Sequence, residues 1–414
     1  MKKRKIRILL AGILVVAMFA ACAPAAAPAA PAAPAPAAPA APGAAPAAPA
    51  DAPEGNIYIG VMLPLTGGNA MTGWFVEQGV LMWLEDNPNG ILGRPVEIIW
   101  ADTQSSEAGA NAAFLTIATH PGISATHGGQ ISNQGLAVVP LSQQHGIPTI
   151  HHGSSVQFAA AVREGNMFTW NNRINDGGTG FSMADALHNA LGAQRIAIIH
   201  NNNAFGQGLA DTAIAALRSF GVEPVEVLSY TTDERQFAPF ISRVQASGAD
   251  GLLVMSHPNE MALIQIEAMN AGLDVIKLGS PNAGAAATIA LSEDAANGWY
   301  SISDWVPTIE DDPGRSLAAR FYAEHDMHAD MNVTSAYDIM TIFARAIEHN
   351  GCAEPASIQA ALEYFRDNQT RIQGMATTIS FNEYHIGNTS QFMAYNVDRV
   401  PQIIRRIYRE GWQG

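Results

Sequence analysis

The chain has 414 residues, with 22 Lys+Arg against 37 Asp+Glu and a formal net charge of −15. No basic surplus is available to displace counterions from a polyanion, so the balance excludes nucleic acid as a partner. Two cysteines in a chain of this length exclude a disulfide framework, and stability has to come from core size.

Residues 1–7 are MKKRKIR, and the uncharged run ILLAGILVVAMFA follows. A basic segment before an apolar stretch too short for a stable span reads as a secretory signal over residues 1–21. The ending Ala20-Ala21-Cys22 resembles a bacterial lipoprotein signal, with Phe19 in place of the usual Leu. That resemblance implies lipidation of Cys22; the plainer alternative is an ordinary secretory signal ending in Ala-Cys-Ala. Residues 23–53 are Ala and Pro except for Gly43 and Asp51. Without aromatic or branched aliphatic side chains they form no core, and their prolines favour an extended, semi-rigid tether. Cys352 is then left without a partner and is expected to be a small buried residue near a turn.

The folded part begins with the strand IYIGVMLPLTGG, residues 57–68, and a helix is expected from Trp74 to Glu85. VEIIWAD, 96–102, is the next strand; a helix over 107–118 precedes ISATHGG, and one over 134–144 precedes PTIHHG. A second series starts near Asp176. Helices around 180–191, 207–220, 235–246 and 259–271 are followed by RIAIIHNNN, VEPVEVLSY, DGLLVMSHPNE and DVIKLGSP, in an unbroken alternation with strands. Cores such as IAIIH lack polar alternation, as strands covered by helices on both faces do. Residues 315–350 and 356–366 read as helical, and TTISFNEYHIGNTSQFMAYNV reads as a hairpin-like pair before PQIIRRIYRE. Two series of βα units imply an α/β fold of two doubly wound, Rossmann-like lobes. Ligands of such sheets bind at the carboxyl ends of strands, which directs attention to the loops after residues 65, 129, 153, 200 and 257.

No enzyme motif is present: there is no P-loop, no Gly-x-Ser-x-Gly and no His-Glu-x-x-His, and GGTG and GQG lack the dinucleotide spacing. No cofactor is expected. His127, His151, His152, His200 and His257 fall near strand ends, but only His151-His152 is closely spaced, and an extended backbone turns those two apart. A neutral wall or a single hydrogen bond to an organic ligand suits them better than a metal. GGQISNQG, 128–135, sets Ser132 at a helix start, and HHGSS brings Gly153, Ser154 and Ser155 after the next strand. Free N–H groups with hydroxyls suit a small carboxylate, and helix capping by Ser132 with turn formation by HHGSS is the alternative.

Six stretches occur in the order found in one family: IGVMLPLTG, GILGRPVEIIWADTQS, HGIPTIHHGSS, LGAQRIAIIHNNNAFGQGLA, HPNEMALIQIEAMNAGL and LGSP. Through them, residues 57 to about 406 resemble the type I solute-binding proteins of ABC importers, in particular the Leu/Ile/Val-binding branch. The resemblance implies two lobes joined by three crossover hinges, 56–175 with 305–391 and 176–304 with 392–414, the latter pair returning in the last strands. It implies a small-molecule ligand held between the lobes and a membrane permease as partner. Residue by residue, Ser132 would bind a ligand carboxylate, Gly153 would contact it through the backbone, and Ser155 would touch carboxylate and amine. Phe205 would close the cleft from the second lobe without the family's tyrosine hydroxyl. His257 stands where an aromatic is frequent, Tyr337 where a tyrosine lies near the hinge, and Thr72 or Trp74 would line the apolar pocket.

One position departs from the family. Where the Leu/Ile/Val binders carry an acid for the ligand ammonium, this chain has GSPNAG, with Pro281 at or beside the position and Asn282 offering a neutral amide. Either Asp176 or Asp304 replaces that acid, Asp176 having the alternative of a hinge role, or the ligand is a carboxylate or amide without an α-amine. The leading function is a lipid-anchored, extracytoplasmic receptor that delivers a small solute, a branched-chain amino acid or a related small carboxylate or amide, to the permease of an importer, the family resemblance putting branched-chain amino acids first among named classes. A sensory binding protein reporting to a signalling partner is the alternative, and an enzyme using the histidines is disfavoured.

Overall fold

The computed structural model describes residues 55–407, so the expected signal, Cys22 and the tether lie outside the described residues. The first series runs β1 (Ile57–Leu63), α1 (Ala70–Asp86), β2 (Val96–Asp102), α2 (Glu107–Ala118), β3 (Ile123–His127), α3 (Ser132–His145), β4 (Thr149–His151), α4 (Val156–Arg163) and β5 (Thr169–Asn171). Its strands form one parallel sheet in the order β2-β1-β3-β4-β5. The second series runs α5 (Asp176–Asp185), β6 (Ile196–Asn201), α6 (Ala204–Ser219), β7 (Glu226–Tyr230), α7 (Ala238–Ala246), β8 (Gly251–Met255), α8 (Pro258–Asn270), β9 (Ile276–Gly279), α9 (Ala286–Ser292) and β10 (Trp299–Ser303). The chain then continues through α10 (Gly314–His325), α11 (Met331–Asn350), α12 (Pro355–Asp367) and the short strands β11 (Ile372–Gln373), β12 (Thr378–Phe381) and β13 (Gly387–Asn388). It ends in β14 (Gln391–Val397) and β15 (Val400–Ile407). The second sheet has the order β15-β14-β10-β9-β8-β6-β7, parallel except for β14 and β15.

Continuous apolar strands are explained by burial on both faces. Ile57, Ile59, Val61 and Leu63 of β1 face a core shared with α1, α11 and α12, whereas Met62 faces Phe114, Ile117 and Val138 of α2 and α3. Midway along β1, a Cβ on Gly60 would sit 2.3 Å from Ile117 Cγ2, so α2 packs against the sheet only because this position is glycine. In the second lobe, Ile196 and Ile198 of β6 face α5 and α6, while Ala197 and Ile199 face α7 and α8. A parallel sheet buried in this way needs no polar alternation.

Helices α11 and α12 and strand β12 return to the first lobe, where Ile339, Phe343, Leu362 and Phe381 join the β1 core. The hairpin-like pair expected in TTISFNEYHIGNTSQFMAYNV is confined to the short antiparallel pairing of β12 with β13 and does not extend to SQFMAYNV. β12 instead joins a small sheet with β11 and β13, and β14 pairs with β15 through the two-residue turn Asp398-Arg399, with φ of 50° and 63°. Both turn residues adopt the left-handed conformation that a tight hairpin of this twist requires, without the usual glycine or asparagine. That missing signal is why the turn is hard to read in the sequence. Helix α4 and strands β5 and β10 are further elements that the sequence pattern did not expose. Cys352 is partly exposed, not buried, just past the left-handed Gly351 that ends α11.

Candidate ligand site

In the first sheet the strand order reverses between β1 and β3, and in the second between β6 and β8. The loops leaving those four strands face each other, as expected of ligand sites at topological switch points. Between them lies a small cavity. Thr72, Gln130, Ile131, His152 and Ser154 wall it from the first lobe, Phe205, His257, Pro258, Pro281 and Asn282 from the second. Arg173 on the first crossing and Met331 and Asn332 at the start of α11 complete it. Asn259 Nδ2 donates to the carbonyl of Gly68 at 2.6 Å, so the lobes touch across the cleft mouth.

The second-lobe wall is an aromatic plate. Phe205 and His257 stack with ring centroids 5.0 Å apart and planes at 26°. Asn203 caps α6 by accepting from the Gly206 N–H, which leaves its amide nitrogen to donate to His257 Nε2 at 2.9 Å. Accepting on Nε2 and pushed down to about 4 by burial, the His257 ring is neutral. Asn282 is committed as a donor to the carbonyl of Ser256 at 2.8 Å.

The first-lobe wall is built on buried imidazoles. Burial pushes His127 down to about 4 and His151 to about 3, and drives His152 well below its ordinary range. His151 Nδ1–H donates to the Gly128 carbonyl at 3.1 Å, and its ring stacks on Phe158 at 4.6 Å. Arg173 Nη1 donates to His152 Nε2 at 3.2 Å, which puts the His152 proton on Nδ1. That Nδ1 is buried and has no protein partner among the described residues, and the same holds for both amide atoms of Gln130.

Of the residues expected at the site, Thr72, Ser154, Phe205, His257 and Asn282 line the cavity. Ser132, Gly153 and Ser155 are buried just behind its wall. Ser132 Oγ accepts from the Ser154 N–H at 3.2 Å, and Ser155 caps α4 by accepting from the Gln157 N–H at 3.2 Å. A Cβ on Gly153 would stand 3.1 Å from Ser132 Cα, so glycine there lets the two loops pack closely. Trp74 lies elsewhere: two residues beyond Thr72 on α1, it points away from the cleft and packs against Phe75, Phe321 and His325. Tyr337 is also outside, donating to Asp86 Oδ2 at 2.9 Å. Five residues along α11 from Asn332 is about 7–8 Å of rise, which carries Tyr337 past the cavity.

Asp176 is fully buried and Asp304 largely buried, with 13% of its side chain exposed, beside Arg173, and neither lines this cavity. Asp176 accepts from Ser154 Oγ at 2.7 Å, and burial pushes its carboxyl up to about 7 against that bond and the pull of Arg173. Arg173 Nε stands 2.5 Å from Asp304 Oδ2 without hydrogen-bond alignment, so charge holds the pair. Burial raises the Asp304 carboxyl, opposed by Arg173 and by the Gln391 amide. Behind Arg173 a second small cavity is lined by Asp304 and Asp338. The cavity between the lobes is therefore walled by neutral groups and one guanidinium. Of the strand-end histidines expected as a neutral wall or a single hydrogen bond, His152 and His257 line the cavity, whereas Gln130 and Arg173 were not among the expected ligand residues; Arg173, a lone base in the Asn-rich segment NNRIND, carried a signal that could have found it.

Comparison with known proteins agrees with this fold. A Leu/Ile/Val-binding protein homolog of Brucella melitensis is 26% identical over 55% of this chain and 62% of its own length. The chain spans about half the length of the curated relatives it matches most strongly, 44% to 62% of three of them. Among solved structures, a leucine-binding protein from Thermotoga maritima superposes with a TM-score of 0.77 at 21% identity, covering 85% of this chain and 99% of that one. A solute-binding protein of an ABC transporter from Rhodopseudomonas palustris, in complex with 3,4-dihydroxybenzoic acid, gives 0.77 at 17% identity, covering 84% and 96%. The fold is that of the type I periplasmic binding proteins. The model of the periplasmic binding protein family matches residues 56–398, and the chain belongs to that family.

Proposed function

We propose that this protein is the solute-binding component of an ABC importer, and that it captures a small carboxylate without an α-ammonium group between its lobes. Its role is binding and delivery, without chemistry on the ligand. The observation that carries this reading is the charge of the cavity wall, which among the described residues has one guanidinium and no carboxylate. An amino acid would bring an ammonium into a site where Pro281 and Asn282 offer no counter-charge. Burying it unpaired costs several kcal/mol at order of magnitude. The names of the relatives point to branched-chain amino acids, while the Rhodopseudomonas palustris protein holds an acid that has no amine. The wall chemistry favours the second kind of ligand, with the Phe205–His257 plate against its apolar body.

Closure on the ligand provides the surface that a membrane permease would read, a population shift between open and closed lobes. The basic and apolar segments before Ala20-Ala21-Cys22, and the Ala/Pro run after it, support a protein outside the cytoplasm that is held to a membrane through lipidated Cys22. Cys22→Ala should release it from membrane fractions; retention would refute the anchor. The ligand class is tested by mass spectrometry of small molecules released from the purified protein, followed by calorimetry with L-leucine and 4-methylpentanoate. The acid is expected to bind more tightly than leucine. Submicromolar leucine binding, with the deaminated acid inactive, would overturn the reading and return Asp176 and Asp304 to consideration as ammonium partners.

A further inference from the structure

Resting on that reading of the cleft, we infer that Arg173 is the anchor of the ligand's anion, with the Gln130 amide and the His152 Nδ1–H completing the donor set. Three observations converge on it. The Arg173 side chain is 7% exposed and is the one formally charged group in the cavity wall. His152 is fixed as an Nδ1–H donor because its Nε2 already accepts from Arg173, and that donor has no protein partner. Gln130, on the loop after β3, presents a buried amide with neither atom partnered. Two hydrogen-bond donors and a guanidinium around one cavity match a carboxylate, and a fork-shaped cation matches its two oxygens.

The position of Arg173 ties recognition to the hinges. It lies on the first passage between the lobes, and its ion-pair partner Asp304 lies on the second, directly after β10. Gln391, at the third passage, borders Asp304 and donates to Thr179 Oγ1 of α5 at 2.9 Å. The guanidinium is thus shared between the ligand cavity on one side and a hinge carboxylate on the other. A ligand carboxylate competes with Asp304 for the same cation, so Asp304 sets the affinity for anions without touching the ligand, as a positioning residue. Ser132 and Ser155 take no direct part, since both lie behind the wall and accept backbone N–H groups there.

The test uses the intact protein, freed of retained ligand, and calorimetry with 4-methylpentanoate and its neutral isostere 4-methylpentanamide. Wild type should prefer the acid by roughly tenfold or more, the scale of a charge-assisted contact. Arg173→Met should reduce that preference to within about threefold, since only a neutral hydrogen bond remains to tell the two apart. Asp304→Asn should strengthen acid binding several-fold and leave the amide unchanged, an outcome that a merely structural role would not produce. Because R173M leaves Asp304 alone, the double variant R173M/D304N, without buried charge at this point, is measured beside it. If wild type binds neither compound, or prefers the amide, the carboxylate reading of the site fails and this assignment with it. If wild type prefers the acid and both folded Arg173 variants keep the full preference, only the Arg173 anchor is overturned.

Discussion

Replacing Asp304 by alanine removes one half of the buried pair that joins two of the lobe crossings. Opposite charges about 4 Å apart at an effective dielectric near 20 attract by about 4 kcal/mol. Desolvating each ion costs several kcal/mol, so the intact pair adds little net stability. Deletion of one partner is a different quantity, because it leaves the other charge buried alone, at about 3–5 kcal/mol. The two deletions should also differ from each other. Arg173 cannot shed its proton, whereas burial already raises the Asp304 carboxyl and lets it go neutral when Arg173 is lost. His152 accepts from Arg173 and the flanking cavities soften its isolation, which favours the lower end, about 3 kcal/mol for D304A by the same scale. R173M should cost clearly less, and D304L combined with R173M should return to within about 1 kcal/mol of wild type. Urea denaturation at pH 7, followed by far-ultraviolet circular dichroism on ligand-free protein, measures all three, since bound ligand would mask the differences. A D304A cost below about 1 kcal/mol, or an R173M cost above that of D304A, would refute the buried-pair argument.

Two further expectations follow from side chains whose partners are defined. Ser155→Ala should lower stability by about 1 kcal/mol through loss of the α4 cap, while S132A and S155A leave ligand affinity within about threefold of wild type; a tenfold loss in calorimetry would restore both serines to the ligand contact. Asp338 is buried with a single backbone donor, the Met375 N–H, and burial pushes its carboxyl from an ordinary 3.8 up to about 8. The folded state therefore keeps a proton that the unfolded chain releases near pH 4, so the contribution of Asp338 is full below that and falls as pH rises to about 8. Asp338→Asn should gain in melting temperature relative to wild type between pH 5 and pH 9, and an unchanged difference across that range would show the carboxyl to be solvated.

The alternation of apolar strands and helices was legible in the sequence because period and burial are local properties of the chain. IAIIH and GLLVM can only be strands covered on both faces, and the glycine-, asparagine- and serine-rich turns at their ends mark where such sheets bind ligands. The missing acid at Pro281-Asn282 was legible only against the resembled family, which carries one there; once the position is aligned, a residue type either carries a charge or does not. Local pattern set His257 at a strand end, and the family resemblance brought Phe205 and Thr72 to the cleft. The hairpin between β14 and β15 was hidden because Asp398 and Arg399 take left-handed conformations under the pairing of their own strands, without the residues that announce such a turn. Trp74 and Tyr337 went astray for a geometric reason, since a shift of two or five residues along a helix changes the face or the depth at which a side chain emerges. Arg173, His152 and Gln130 meet only when three passages between the lobes and two strand ends converge. Their donor directions depend on partners distant in the chain, such as Asp304 across 131 positions from Arg173. Tertiary structure alone decides that kind of juxtaposition, because the charge, the tautomer and the unpaired donor are each set by a neighbour that the sequence does not place beside them.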